Sequence, residues 1–294
     1  MLINNSELAY WYTVTQVKNI RNKVKFAIYK VLKSNNITLS ELFEEDSFSI
    51  NLKFSSVGVP LTQKEIDKLF DKEYLSNNSF YIDSLLKEGF NITPIISDDY
   101  PQYLINILKE TSPIILYSKG DTGLLNKKCA AIVGSRNASE ISLSFTEHIS
   151  ERLVKKDFII VSGYAIGIDQ KALESAIQHG GKSIIVLPQG IKTFSKELNK
   201  LYKYIIDGTI LVVSQFNPDS KWSIGNAMTR NNLIYGLSEY IVVSESGNSG
   251  GTWSGVQEGM KRKQEIFVRK PNGNEDNANM LLISQGAKPI SYAF

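Results

Sequence analysis

From Lys128 onward, short runs of branched apolar residues alternate with stretches of helical periodicity, an order that few folds accept. Runs at 129–133, 158–161, 183–187, 209–213, 240–244 and 265–268 read as strands. Helical patterns fill 140–155, 169–179, 195–206, 226–236, 252–262 and 277–284. Apart from a polar residue at one end of some, the strand runs are continuously apolar rather than alternately polar, so both of their faces must be covered. This rhythm predicts the α/β class: an extended Rossmann-like, doubly wound, mainly parallel sheet with helices on both faces. In such sheets a ligand binds beyond the carboxyl ends of the strands.

Four of those ends carry unusual residues: Gly134-Ser135-Arg136, Ser162-Gly163 through Gly167-Ile168-Asp169, Pro188-Gln189-Gly190, and Ser249-Gly250-Gly251-Thr252. A glycine turn leading into a helix exposes backbone N–H groups at the positive end of the helix dipole, which suits a phosphate. Each turn alone also has a purely conformational explanation. Arg136 adds a charge that a tight turn does not need. Arg230 and Asn231 could fork onto phosphate oxygens or base edges, or Arg230 could make a surface salt bridge. Lys192, Lys196, Lys200 and Lys203 share one helix face with Phe194, Tyr202 and Tyr204 among them. That mixture suits single-stranded nucleic acid, and equally a solvated face.

Other chemistries lack their residues. Two histidines and one cysteine cannot furnish a zinc site, so no metal is expected, and Cys129 falls inside an apolar strand as a core residue. Neither Gly-x-x-x-x-Gly-Lys-Ser/Thr nor Gly-x-Gly-x-x-Gly is present, which argues against a P-loop and against a dinucleotide cofactor; no cofactor is expected. Asp169 opens a helix, where a carboxylate serves the dipole rather than acid–base chemistry. The net charge of +3 implies no polyanionic partner by itself, so that case rests on where the charges sit. No leader pattern and no run of ~18 apolar residues is found, so a cytoplasmic protein without membrane association is expected.

The first part of the chain reads differently. Residues 1–88 are expected to form a small α-helical domain, with a basic helix from Gln16 to Lys33 and further helix starts at Ser40 and Thr62. Thr62-Gln63-Lys64-Glu65 fits a capping box. Two short strands separated by a helix are expected between Gly89 and Gly120, within a second domain spanning 89–294.

With these residues in place, the chain resembles the DNA-processing protein A family (DprA, also called Smf). The resemblance is carried by Val133-Gly134-Ser135-Arg136, Ser162-Gly163-Tyr164-Ala165-Ile166-Gly167-Ile168-Asp169, Arg230-Asn231-Asn232 before Gly236-Leu237-Ser238, Ser249-Gly250-Gly251, and Gly286-Ala287. It extends over about residues 89 to 290. It implies a protein that binds and protects single-stranded DNA and aids loading of a RecA-type recombinase during DNA uptake or recombination, as a homodimer and without catalysis. By position, it implies that Arg136 contacts phosphate, helped by backbone groups at Gly134, Ser135 and Gly163, with the Lys196 and Lys200 region as the basic helix and with Arg230 and Asn231 nearby. Asn232 stands where the family has a second arginine, and the C-terminal winged helix of many members is not expected here. The Ser249–Thr252 turn is also similar to that of LOG-type phosphoribohydrolases, which implies an alternative as a nucleotide sensor or nucleotide-cleaving enzyme. The glutamate that acts in those enzymes is replaced by Trp253 and Ser254, and the nearest is Glu258.

Overall fold

The structure is a computed structural model describing residues 4–73, 75–273 and 275–292. By spatial contacts the chain forms two compact units, Met1–Ser118 and Lys119–Phe294.

The first unit opens with helices α1 (Asn5–Gln16), α2 (Asn22–Asn35), α3 (Leu39–Phe43), α4 (Ser47–Ser56), α5 (Gln63–Leu69) and α6 (Leu75–Lys87). The single helix expected from Gln16 to Lys33 is two: α1 ends at Gln16, α2 begins at Asn22, and Asn19 between them turns the chain in the left-handed region at φ 61°. Apolar spacing carries across that turn, so periodicity alone joined the two segments. Ser40 is likewise not a cap but lies inside α3. Thr38 is the N-cap, with a reciprocal Thr38–Glu41 box, and the Glu7 carboxylate of α1 accepts from the N–H groups of Leu39 and Ser40 at 2.6 and 3.2 Å. The Thr62–Glu65 box does start α5. Strand β1 (Asn91–Pro94), helix α7 (Gln102–Leu108) and strand β2 (Ile115–Lys119) complete the unit, with β1 and β2 antiparallel.

The second unit follows the expected alternation: β3 (Cys129–Gly134), α8 (Glu140–Val154), β4 (Ile159–Ser162), α9 (Ile168–Gln178), β5 (Ser183–Val186), α10 (Ser195–Ile206), β6 (Ile210–Ser214), α11 (Ile224–Leu237), β7 (Tyr240–Glu245), α12 (Gly250–Lys261), β8 (Glu265–Arg269) and α13 (Asn279–Ser284). A last strand, β9 (Lys288–Ile290), was not expected. These strands lie in the order β6-β5-β4-β3-β7-β8-β9, with each neighbouring pair parallel.

Side chains alternate across this sheet. Ala130 and Ile132 of β3 pack with Phe145, Ile149 and Leu153 of α8 and with Ile168, Ala172 and Ala176 of α9. Helix α11 covers β3, β4 and β5 and packs against α12. Cys129 is part of the β3 core, its thiol pushed up to about 12 chiefly by burial. The strand order reverses at β3: from it the chain proceeds toward β6, then returns to β7 on its other side. A doubly wound sheet opens its crevice at that reversal, beyond the ends of β3 and β7.

Candidate functional site

Two cavities open there. The larger, about 560 Å³, is lined by the loop after β3, the first turn of α12 and one face of α11. The β3 loop is pinned at both ends by Glu245, at the end of β7. The backbone carbonyl of Glu245 accepts from the Ser135 N–H at 2.9 Å. Its carboxylate accepts from the Ser139 N–H at 3.0 Å and from Ser139 Oγ at 2.6 Å. Arg136 sits between these anchors with its side chain exposed and lines both cavities.

Arg230 lies at the floor. Helix α11 carries it beneath the crevice, where it is 5% exposed and Nη1 donates to the Val186 carbonyl at 2.8 Å, capping the end of β5. Its Nε has no hydrogen-bond partner. Burial draws this guanidinium's pKa down, Asp169 opposes that shift, and Arg136 adds to it by repulsion. Asp169, in the first turn of α9, is buried and accepts from the Gly163 N–H at 3.1 Å. Burial pushes its carboxyl upward, with the Arg230 charge and the amide bonds holding it back. Arg230 packs so closely on the turn after β4 that a Cβ on Gly163 would fall 1.8 Å from Nη1. That glycine is therefore required by contact, not by φ.

The third wall is the start of α12. Ser249 is its N-cap but makes no side-chain cap bond, leaving the first amides of the helix without a capping acceptor. Thr252 Oγ1 donates to the Gly134 carbonyl at 3.1 Å, and Asn231 Nδ2 to the Gly251 carbonyl at 3.1 Å, joining this turn to β3 and to α11. Gly251, Gly255 and Gly259 form a seam at four-residue spacing. Cβ atoms added there would meet Asn231 Nδ2 at 3.2 Å, the Tyr235 hydroxyl at 3.0 Å, and Ile266 Cδ1 at 2.8 Å with the Tyr235 ring at 3.1 Å. The helices approach this closely because the seam is bare.

The second cavity, about 390 Å³, shares Arg136, Ala165, Trp222 and Arg230 with the first and adds Tyr164, Ile166 and Phe194. Tyr164 and Phe194 meet edge to face at 5.6 Å. Around the two openings, Ile166, Trp222 and Ile224 are 72%, 49% and 73% exposed, an apolar rim to a cationic site.

The structure thus brings Gly134, Ser135, Arg136, Arg230, Asn231, Ser249, Gly250, Gly251 and Thr252 to one cavity, with Gly163 on the other. It reassigns several of their groups. The Ser135 and Gly163 amides, expected to face phosphate, donate to Glu245 and Asp169. Ser162 is fully buried and its hydroxyl donates to the Ile132 carbonyl at 2.7 Å. Gly167, at φ 88°, abuts the Ser135 and Arg136 carbonyls as the N-cap of α9. Arg230 is not in a surface salt bridge. Lys196 and Lys200 lie on α10 outside the lining of both cavities, with Lys200 paired to Glu197 at 2.8 Å. Glu258 is paired to Lys261 at 2.6 Å and also lies outside both linings. Glu245, Trp222, Ile224 and Met228 were missed; Trp222 and Ile224 beside polar loop residues were the available signal. Among the described residues no cluster of metal-ligating side chains occurs, and no helix is long and apolar enough to cross a membrane.

The sequence profile of the family described as DNA recombination-mediator protein A matches residues 91–293. The chain is 31% identical over 215 residues to DNA processing protein DprA of Streptococcus pneumoniae, covering 71% of this chain and 75% of that protein. The crystal structure of DNA processing protein A from the same species superposes with a TM-score of 0.69 at 25% identity, covering 99% of this chain and 95% of that one. The structure of DNA processing protein A from Helicobacter pylori, concerned with its single-stranded DNA binding mode, is similar at 27% identity with a TM-score of 0.58, covering 68% of this chain and 90% of that one.

Proposed function

This chain belongs to the DNA recombination-mediator protein A family, and from that premise we propose that the crevice between β3 and β7 grips the backbone of single-stranded DNA. The observation that carries the reading is the convergence of Arg136, the uncapped start of α12 and the buried Arg230 on one cavity. Arg136 forks onto a phosphate, the amides of Gly250–Thr252 take oxygens of the same or an adjoining group, and bases rest on the apolar rim. Ser162, Gly163 and Gly167 shape the turn behind Arg136 and Arg230 and reach no phosphate themselves. Lys196 and Lys200 serve the strand as it leaves the second cavity, where Phe194 leads into α10.

The reading is of a binding protein rather than an enzyme. The one carboxylate lining the larger cavity, Asp169, is engaged by the Gly163 amide and the Arg230 charge. Release of free base from nucleoside monophosphates would favour the hydrolase alternative instead. On family grounds the proposal extends to a homodimer that passes the strand to a RecA-type recombinase, with residues 89–294 as the domain responsible.

Binding tests it. Affinity should fall steeply with salt, since a strand that neutralises cations releases its counterions. Arg136→Ala removes one charge-assisted contact, roughly 1.5–3 kcal/mol, so affinity should drop about ten- to hundred-fold for every sequence alike. The salt slope should shrink by about 0.7. An unchanged affinity, or a loss confined to some sequences, would overturn this placement of the strand.

A further inference from the structure

We propose that the larger cavity is a receptor for a terminal phosphomonoester carrying one nucleoside, so that the protein distinguishes a phosphorylated strand end, or a free nucleoside monophosphate, from the phosphodiesters along a chain. The inference rests on the single-strand reading above and sharpens its ligand.

Three observations carry it. First, the start of α12, a helix of 12 residues, presents amides with no capping side chain, and a Cβ at Gly250 would meet nothing within 4 Å, so this end is open to a ligand. Second, Arg230 lines the same cavity while 5% exposed, with Nε unpartnered. A guanidinium charge held out of solvent at the cavity wall is stabilised by an anion that comes to rest beside it. Third, the charges sum to more than a diester can balance. Arg136 and Arg230 each contribute one positive charge, Asp169 one negative, and the α12 dipole about half a positive charge. That leaves about +1.5, against −1 for a phosphodiester and about −1.5 to −2 for a phosphomonoester at neutral pH. Glu245 is not among the lining groups: its carboxylate is turned onto the start of α8, accepting from Ser139, at the positive end of that helix's dipole.

Shape agrees with charge. A cavity of about 560 Å³ falls within the roughly 300–1,000 Å³ of sites that enclose a single small molecule. Its buried lining, Val133, Ile234 and Tyr235, closes the floor, so a strand can end there more readily than run through. Trp222 and Met228 stand on the wall as a surface for one base.

The test uses the full chain and one internally labelled oligodeoxynucleotide in three forms: 5′-phosphorylated, 3′-phosphorylated, and hydroxyl at both ends. One phosphorylated form should bind at least tenfold tighter than the hydroxyl form. Deoxyadenosine 5′-monophosphate and orthophosphate are added as competitors. Displacement of all three forms alike by the nucleotide, with no end preference, assigns the cavity to free nucleotide; an end preference assigns it to strand ends. Ser249→Asp supplies a favoured N-cap whose carboxylate occupies the free amides, so the ratio between phosphorylated and hydroxyl strands should collapse toward one. Lys261→Ala, at the other end of α12 and outside the lining, leaves the amides open and should keep the ratio. Equal binding of all forms without nucleotide competition, or a ratio that survives Ser249→Asp, overturns the inference. If none of the strands binds, it is the single-strand reading itself that fails.

Discussion

Gly163→Ala is the most exacting perturbation this structure offers, because it adds one carbon where none fits. The new Cβ would lie 1.8 Å from Arg230 Nη1 and 2.4 Å from Cζ, so the guanidinium must leave its place. Leaving it breaks the 2.8 Å bond from Nη1 to the Val186 carbonyl, a charge-assisted bond worth about 1.5–3 kcal/mol in a buried setting. Crowding of the turn costs about 1–3 kcal/mol more. The variant should therefore lose about 3–5 kcal/mol in denaturant unfolding and bind single strands more weakly, since Arg230 is displaced into the cavity that Arg136 shares. A double-mutant cycle isolates the cause. Arg230→Ala removes the clash partner, so Gly163→Ala added to it should cost almost nothing further, giving a coupling as large as the single loss, about 3–5 kcal/mol. If the two changes are additive, or if Gly163→Ala unfolds at the wild-type midpoint, Gly163 is not there to admit Arg230 and the account of the crevice floor is wrong.

Two further outcomes concern stability. Glu275 accepts from Arg269 through both carboxylate oxygens, and these bonds hold its pKa down at about 2 from an ordinary 4.5. A depressed carboxyl stabilises the fold above the ordinary value and loses that contribution as pH falls, here about 3 kcal/mol between pH 4.5 and 2. Glu275→Gln should flatten that acid limb in unfolding curves, and should destabilise at neutral pH because Arg269, 2% exposed, is left without its counter-charge. Retention of the acid limb in the variant would refute the assignment. Thr62→Ala removes the N-cap of α5 and should cost about 1 kcal/mol, whereas Thr62→Ser should cost little. Equal losses for both would show that the cap bond is not the source.

The strand–helix order of the second unit was legible because each strand from β3 to β8 is a short apolar run and each helix keeps a wet face. Those periodicities are local properties of the chain. Even the crevice was legible in outline, since a doubly wound sheet places its strand ends together and the glycine turns at 134, 163 and 250 mark which ends matter. Where a local signal ran on past a turn, as from α1 to α2 across Asn19, the reading failed, because hydrophobic spacing does not record a change of direction. The start of α3 failed for a related reason: the Glu7 carboxylate that completes its cap comes from 32 residues away.

What sequence could not supply was the partner of each group. An arginine after Met228-Thr229 could equally have been a surface residue; only packing shows Arg230 beneath the crevice, tied to Val186 and pressed on Gly163. The same holds for the Ser135 and Gly163 amides, which look free in a turn and are taken by Glu245 and Asp169, residues 110 and 6 positions away. Sequence by itself determined which backbone turns stand at the rim, because turn formation and apolar burial act over a few residues. Tertiary structure decided which of their donors stay open, because a donor is free only when nothing else in the folded chain reaches it.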